Sequence, residues 1–79
     1  MGQRYPLSLI ASEILNLLSI NGDTMKDKDL FEVLRKKYDI TYSEFLRYLM
    51  ILEVRGFITV SMPKEDVRVI SIVRHRRGS

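Results

Sequence analysis

A chain of 79 residues has room for one hydrophobic core. Hydrophobic residues make up 46% of it and charged residues 29%, the balance of a folded chain rather than a disordered one. Thirteen Lys and Arg against ten Asp and Glu leave a formal charge of +3, and the chain has no cysteine and one histidine, His75. That excludes a disulfide framework, a cysteine nucleophile and a Cys/His zinc site, so no metal and no cofactor is expected. The longest apolar runs, such as Leu49-Met50-Ile51-Leu52, are too short to span a bilayer, and the first residues lack the pattern of a secretion signal. The expectation is a cytoplasmic protein with a single domain over residues 1–77, Gly78-Ser79 being set aside as a candidate cloning scar.

The first predicted helix covers about residues 6–21: Leu7, Ile10, Ala11, Ile14, Leu17 and Leu18 recur on one face. Pro6 suits its first turn, and Asn21-Gly22 supplies a left-handed exit. A second helix is expected over about 26–38, opening with Thr24 and Asp27 at capping-box spacing. Leu30, Val33, Leu34 and Tyr38 form its buried stripe with Phe31 beside them, and Lys36 and Lys37 suit the negative end of its dipole. The third, over about 42–55, has the clearest start, the capping box Thr41-Tyr42-Ser43-Glu44, followed by Phe45, Leu49 and Leu52 and closed by Gly56. The short link Asp39-Ile40 forces a sharp turn between the second and third helices. From Phe57 the period changes, and two β-branched runs at about 57–62 and 67–73 read as strands of a hairpin around Pro63-Lys64-Glu65-Asp66. Pro63 bars its strand from the middle of a sheet.

Charge is unevenly spread. Residues 1–73 hold ten basic and ten acidic side chains, so the whole excess lies in Arg74-His75-Arg76-Arg77. A neutral body with a cationic end suggests a polyanion contact there, against the plainer reading of a solubilising end.

The order helix, helix, helix, strand, strand, with its tight second turn, resembles the winged helix-turn-helix family over roughly residues 7–73. The most specific stretch is Leu49-Met50-Ile51-Leu52-Glu53-Val54-Arg55-Gly56-Phe57-Ile58. It is similar to the recognition-helix exit of bacterial and archaeal regulators of the multiple-antibiotic-resistance and arsenic-responsive types. The resemblance implies an α+β, mostly helical fold, a winged helix with a two-stranded wing, and double-stranded DNA as partner in a transcriptional regulator associated with the nucleoid. If the third helix reads DNA, its side away from Phe45, Leu49 and Leu52 holds Ser43, Glu44, Arg47, Met50, Ile51, Val54 and Arg55, with Tyr48 on the border. The amino-terminal part, Ser43, Glu44, Arg47 and Tyr48, would enter the major groove. Lys64 and Arg68 of the wing, Lys26 and Lys28 at the start of the second helix, and Arg74, Arg76 and Arg77 of the tail would meet phosphate. Glu65 and Asp66 weaken the wing for that purpose.

The first helix carries one ionisable side chain, Glu13. Its outer side (Ser8, Ser12, Asn16 and Ser19, bordered by Leu9, Leu15 and Ile20) suits a second helix better than water. Leu9, Ser12, Leu15, Asn16 and Ser19 are therefore expected at a homodimer interface. Met50, Ile51 and Val54 are apolar where a DNA-facing surface is usually polar, which keeps open a winged-helix module that binds another protein. No base-and-orienter pair and no glycine-rich phosphate loop is present, so an enzyme is not expected.

Overall fold

The computed structural model describes residues 5–74. In chain order they form α1 (Leu7–Ile20), β1 (Thr24–Lys26), α2 (Asp27–Arg35), α3 (Tyr42–Val54), β2 (Ile58–Lys64) and β3 (Val67–Ile72). The class is α+β, with three helices and one three-stranded antiparallel sheet in the order β1-β3-β2.

α1 follows Pro6, whose carbonyl accepts from the Leu9 and Ile10 amides. Its exit satisfies two of the last-turn carbonyls: the Asp23 amide returns to the Leu18 carbonyl at 2.7 Å and the Asn21 side-chain amide donates to Leu17 at 2.8 Å. Gly22 and Asp23 are both left-handed there, at φ 81° and 73°. This double reversal throws the chain back along the sheet.

The returning segment is a strand, which corrects the expected capping box at Thr24 and the expected two-stranded sheet. Thr24, Met25 and Lys26 pair with Ser71, Ile70 and Val69 of β3. Met25 packs on the core while Thr24 and Lys26 alternate outward, and the Thr24 hydroxyl bonds the Ile70 carbonyl and the Ser71 hydroxyl instead of a helix amide. α2 consequently begins one residue later than expected, with Lys26 at its cap. It also ends early. The Lys37 and Tyr38 amides both turn onto the Leu34 carbonyl, and Tyr38 is held from outside the helix by the Tyr5 ring and by Glu13. Val33, expected in the buried stripe, is exposed.

Both halves of the α3 capping box form: the Glu44 amide donates to the Thr41 hydroxyl at 3.1 Å and the Thr41 amide to the Glu44 carboxylate at 2.8 Å. At its far end the Phe57 amide reaches back to Leu52 and Gly56 stands at φ 83°, a Schellman exit. β2 then pairs with β3 from Ile58↔Ile72 to Ser61↔Val69, and the register slips between Ser61 and Lys64. Pro63 sits at this slip on an edge strand, where its missing amide breaks no ladder.

The core is a single cluster that includes Ile10, Ile14 and Leu18 of α1, Leu30 and Leu34 of α2, Phe45, Leu49 and Leu52 of α3, and Ile58 and Ile70 of the sheet. α1 packs against α2, α3, β1 and β3, with the helices on one face of the sheet. Among the described residues no helix is long and apolar enough to cross a membrane.

Candidate nucleic-acid interface

Burying Phe45, Leu49 and Leu52 turns the opposite side of α3 to solvent. Ser43 and Arg47 are exposed there, followed along the same side by Met50, 60% exposed, and Val54, 80% exposed. Among the described residues no carboxylate lies within salt-bridge distance of Arg47. Two grooves flank this crest. One runs between α3 and the amino-terminal arm and is lined by Tyr5, Leu7, Ile40, Glu44, Arg47, Tyr48 and Ile51. The other separates α3 from the hairpin and is lined by Leu46, Leu49, Met50, Glu53, Val60 and Arg68. A third depression, formed by Asp27, Lys28, Tyr42, Met62, Glu65, Asp66 and Arg68, lies where the amino ends of α2 and α3 meet the hairpin turn.

Several of the expected contact residues have other partners. Glu44 closes the capping box with its carboxylate. Tyr48 is half-buried, and its hydroxyl donates to the Tyr5 carbonyl at 3.3 Å. Lys26 lies on the outer face of the sheet beside Asn21, Thr24, Asp29 and Val69, away from α3, because β1 replaces the expected helix start. Lys28 and Lys64 are exposed near the hairpin end.

Arg68 is the main departure from the sequence reading. It points inward, with Nη1 at 3.6 Å from an Asp27 carboxylate oxygen and 3.5 Å from the Tyr42 hydroxyl. Tyr42 in turn donates to the same carboxylate at 2.5 Å, while the other Asp27 oxygen accepts from the Lys28 amide. Asp27 is 3% exposed and is the buried charged residue of the core region. The Tyr42 hydroxyl is pushed above its ordinary range, first by the hydrogen bond it donates to Asp27, then by burial and by the carboxylate charge, with Arg68 opposing. Sequence reasoning read Asp27 as part of a helix cap and Tyr42 as part of the α3 capping box, and missed that the two meet. One signal was present: Arg68 has the parity of Ile70 and Ile72, so strand alternation already turned it toward the core.

Arg74 is also placed otherwise than expected. It grips Asp23 with two hydrogen bonds, Nη2 at 2.7 Å and Nε at 3.2 Å, and donates to the Ser19 hydroxyl. The guanidinium holds the Asp23 carboxyl below its usual range, through the hydrogen bond before the bare charge. β3 leaves the hairpin at Val67 beside the start of α3 and ends at Ile72 opposite Ile58, after the end of α3. Arg74 is therefore at the far end of the sheet, roughly 20 Å along the strand from the hairpin turn. One continuous surface of α3, hairpin and Arg74 does not form. Arg76 and Arg77 lie outside the described residues.

On α1, Leu9 is 41% and Ile20 68% exposed, and Ser8, Ser12, Asn16 and Ser19 are exposed with them. Leu15 is partly buried against the core. Glu13 is turned to Lys37 and Tyr38, so no charge is free on this side of the helix among the described residues. No group of metal-ligating side chains comes together among the described residues. Comparison with protein-family models, with curated proteins and with solved structures found no match.

Proposed function

We propose that this chain is a winged helix-turn-helix protein that binds double-stranded DNA as a homodimer and regulates transcription, a role that would place it in the cytoplasm on the nucleoid. The observation that carries the reading is the exposed outer side of α3, with Ser43 and Arg47 near its capped amino end and a β-hairpin alongside. A capped helix start with a free arginine one turn in can offer a bidentate donor to a guanine edge, while the hairpin lies beside the neighbouring backbone. Lys28 and Lys64 are the cations placed to meet phosphate at that end. They neutralise about two phosphates per protomer, so log affinity should fall with log salt at a slope of roughly −2, doubled in a dimer. The solvent side of α1, bordered by Leu9 and Ile20 and free of charged side chains of its own, is the surface offered to the second copy, with the Arg74 guanidinium on Ser19 at its carboxyl end.

A salt titration of binding to random and selected duplexes tests the reading. Arg47→Ala should lower preference at one base position by ~1–3 kcal/mol, and Lys64→Ala should weaken all duplexes alike. No binding even at low salt overturns it. That outcome would favour a winged-helix module for protein partners, for which the exposed Met50 and Val54 speak.

A further inference from the structure

The distal hairpin is poorly attached to the rest of the molecule. Residues 61–66 are all exposed, β1 reaches only as far as Val69, and the register slips beyond Ser61. Among the described residues one side chain ties this stretch to the helices by hydrogen bond or ion pair, and it is Arg68. Its two partners are the first residue of α2 and the first residue of α3. Three segments far apart in sequence therefore converge on one carboxylate, Asp27, which is nearly inaccessible to solvent. The ion pair is half-buried, the Asp27 side chain being 4% and the Arg68 side chain 38% exposed, so it adds little net stability and its convergence on one carboxylate bears on orientation instead.

We infer that Asp27, Tyr42 and Arg68 form a latch that sets the angle of the β2–β3 hairpin against the amino ends of α2 and α3. Arg68 is then a positioning residue and not a phosphate ligand: its side chain, 38% exposed, is turned to Asp27 and Tyr42. The hydroxyl of Tyr42 is the pivot, since it accepts from Arg68 and donates to Asp27. The latch itself stands on geometry alone. Its consequence for DNA rests on the duplex-binding reading above, because the latch would hold Lys64 at a fixed spacing from Arg47.

Amide hydrogen exchange and duplex binding, measured on the same variants, test both parts separately. Tyr42→Phe removes one oxygen atom and keeps the ring against Phe31 and Phe45. The expected result is exchange about tenfold faster in residues 61–68, the scale of one charge-assisted hydrogen bond, with α1 amides unchanged. Duplex affinity should fall by about the same factor while the salt slope stays as in the wild type, because no phosphate contact is lost. Asp27→Asn should do the same, and Lys64→Ala should reduce the slope by about one without touching exchange. Unaltered hairpin exchange in Tyr42→Phe overturns the latch. So does an Arg68→Ala protein that loses one unit of salt slope with hairpin protection intact, since Arg68 would then be a direct phosphate ligand. If wild type binds no duplex, the DNA reading falls, while hydrogen exchange still decides for or against the latch.

Discussion

At the scale of single residues, the Tyr42 hydroxyl has the most distinctive chemistry in the molecule. The folded state holds its proton more tightly than the unfolded chain does, because Asp27 accepts it. Stability from that proton is complete below the unfolded value near ~10 and is lost as pH rises through the higher folded value. Unfolding curves taken for wild type and Tyr42→Phe should therefore converge as pH climbs above about 10, the difference between them shrinking; curves that stay parallel would refute the assignment. Asp23 has the opposite sign. Its lowered carboxyl favours the folded state above the ordinary carboxylate range, and the contribution is lost as pH falls through the folded value. Little of this chemistry was legible from the sequence. Asp27 and Tyr42 are fifteen positions apart, and Tyr42 and Arg68 twenty-six, so no local spacing announced the cluster. Ser43 and Arg47 could be placed because a helix angle depends only on the neighbouring turns.

Elements show the same division between local and distant causes. The α3 capping box and the glycine exit are written in four and two adjacent residues, and both form as their chemistry requires. Thr41→Ala should cost about 1 kcal/mol in a denaturation midpoint, and an unchanged midpoint would mean that the cap holds nothing. Gly56→Ala adds a Cβ into open space, so its cost is the left-handed backbone alone, about 1–2 kcal/mol, with Gly56→Asn recovering part of it. β1 was invisible for a physical reason. Thr24-Met25-Lys26 becomes a strand only because β3 lies beside it, some 45 positions later, while its own residues point to a helix start. Burial of Asp27 also depends on that strand, since β1 delivers the chain directly into α2.

For the molecule as a whole, the structure separates what the charge pattern had joined. The hairpin end carries Arg47, Lys28 and Lys64 together with Glu44, Glu65 and Asp66, so it is close to neutral. The Arg74 clip sits at the other end. Long-range attraction to a polyanion is accordingly modest, and recognition on the proposed reading depends on shape at α3 more than on field. The α1 surface gives the matching prediction on assembly. Sedimentation should show wild type as a dimer and Leu9→Glu as a monomer; a monomer in both ends the dimer proposal. Leu9 is the better probe than Leu15, whose side chain also supports the core. The strand order has one more consequence, for how the chain comes together. The middle strand of the sheet is the last to be made, so β1 and β2 have no ladder partner until Ile72 has left the ribosome. Sheet assembly here must wait for translation to pass β3, and only helical structure can precede it.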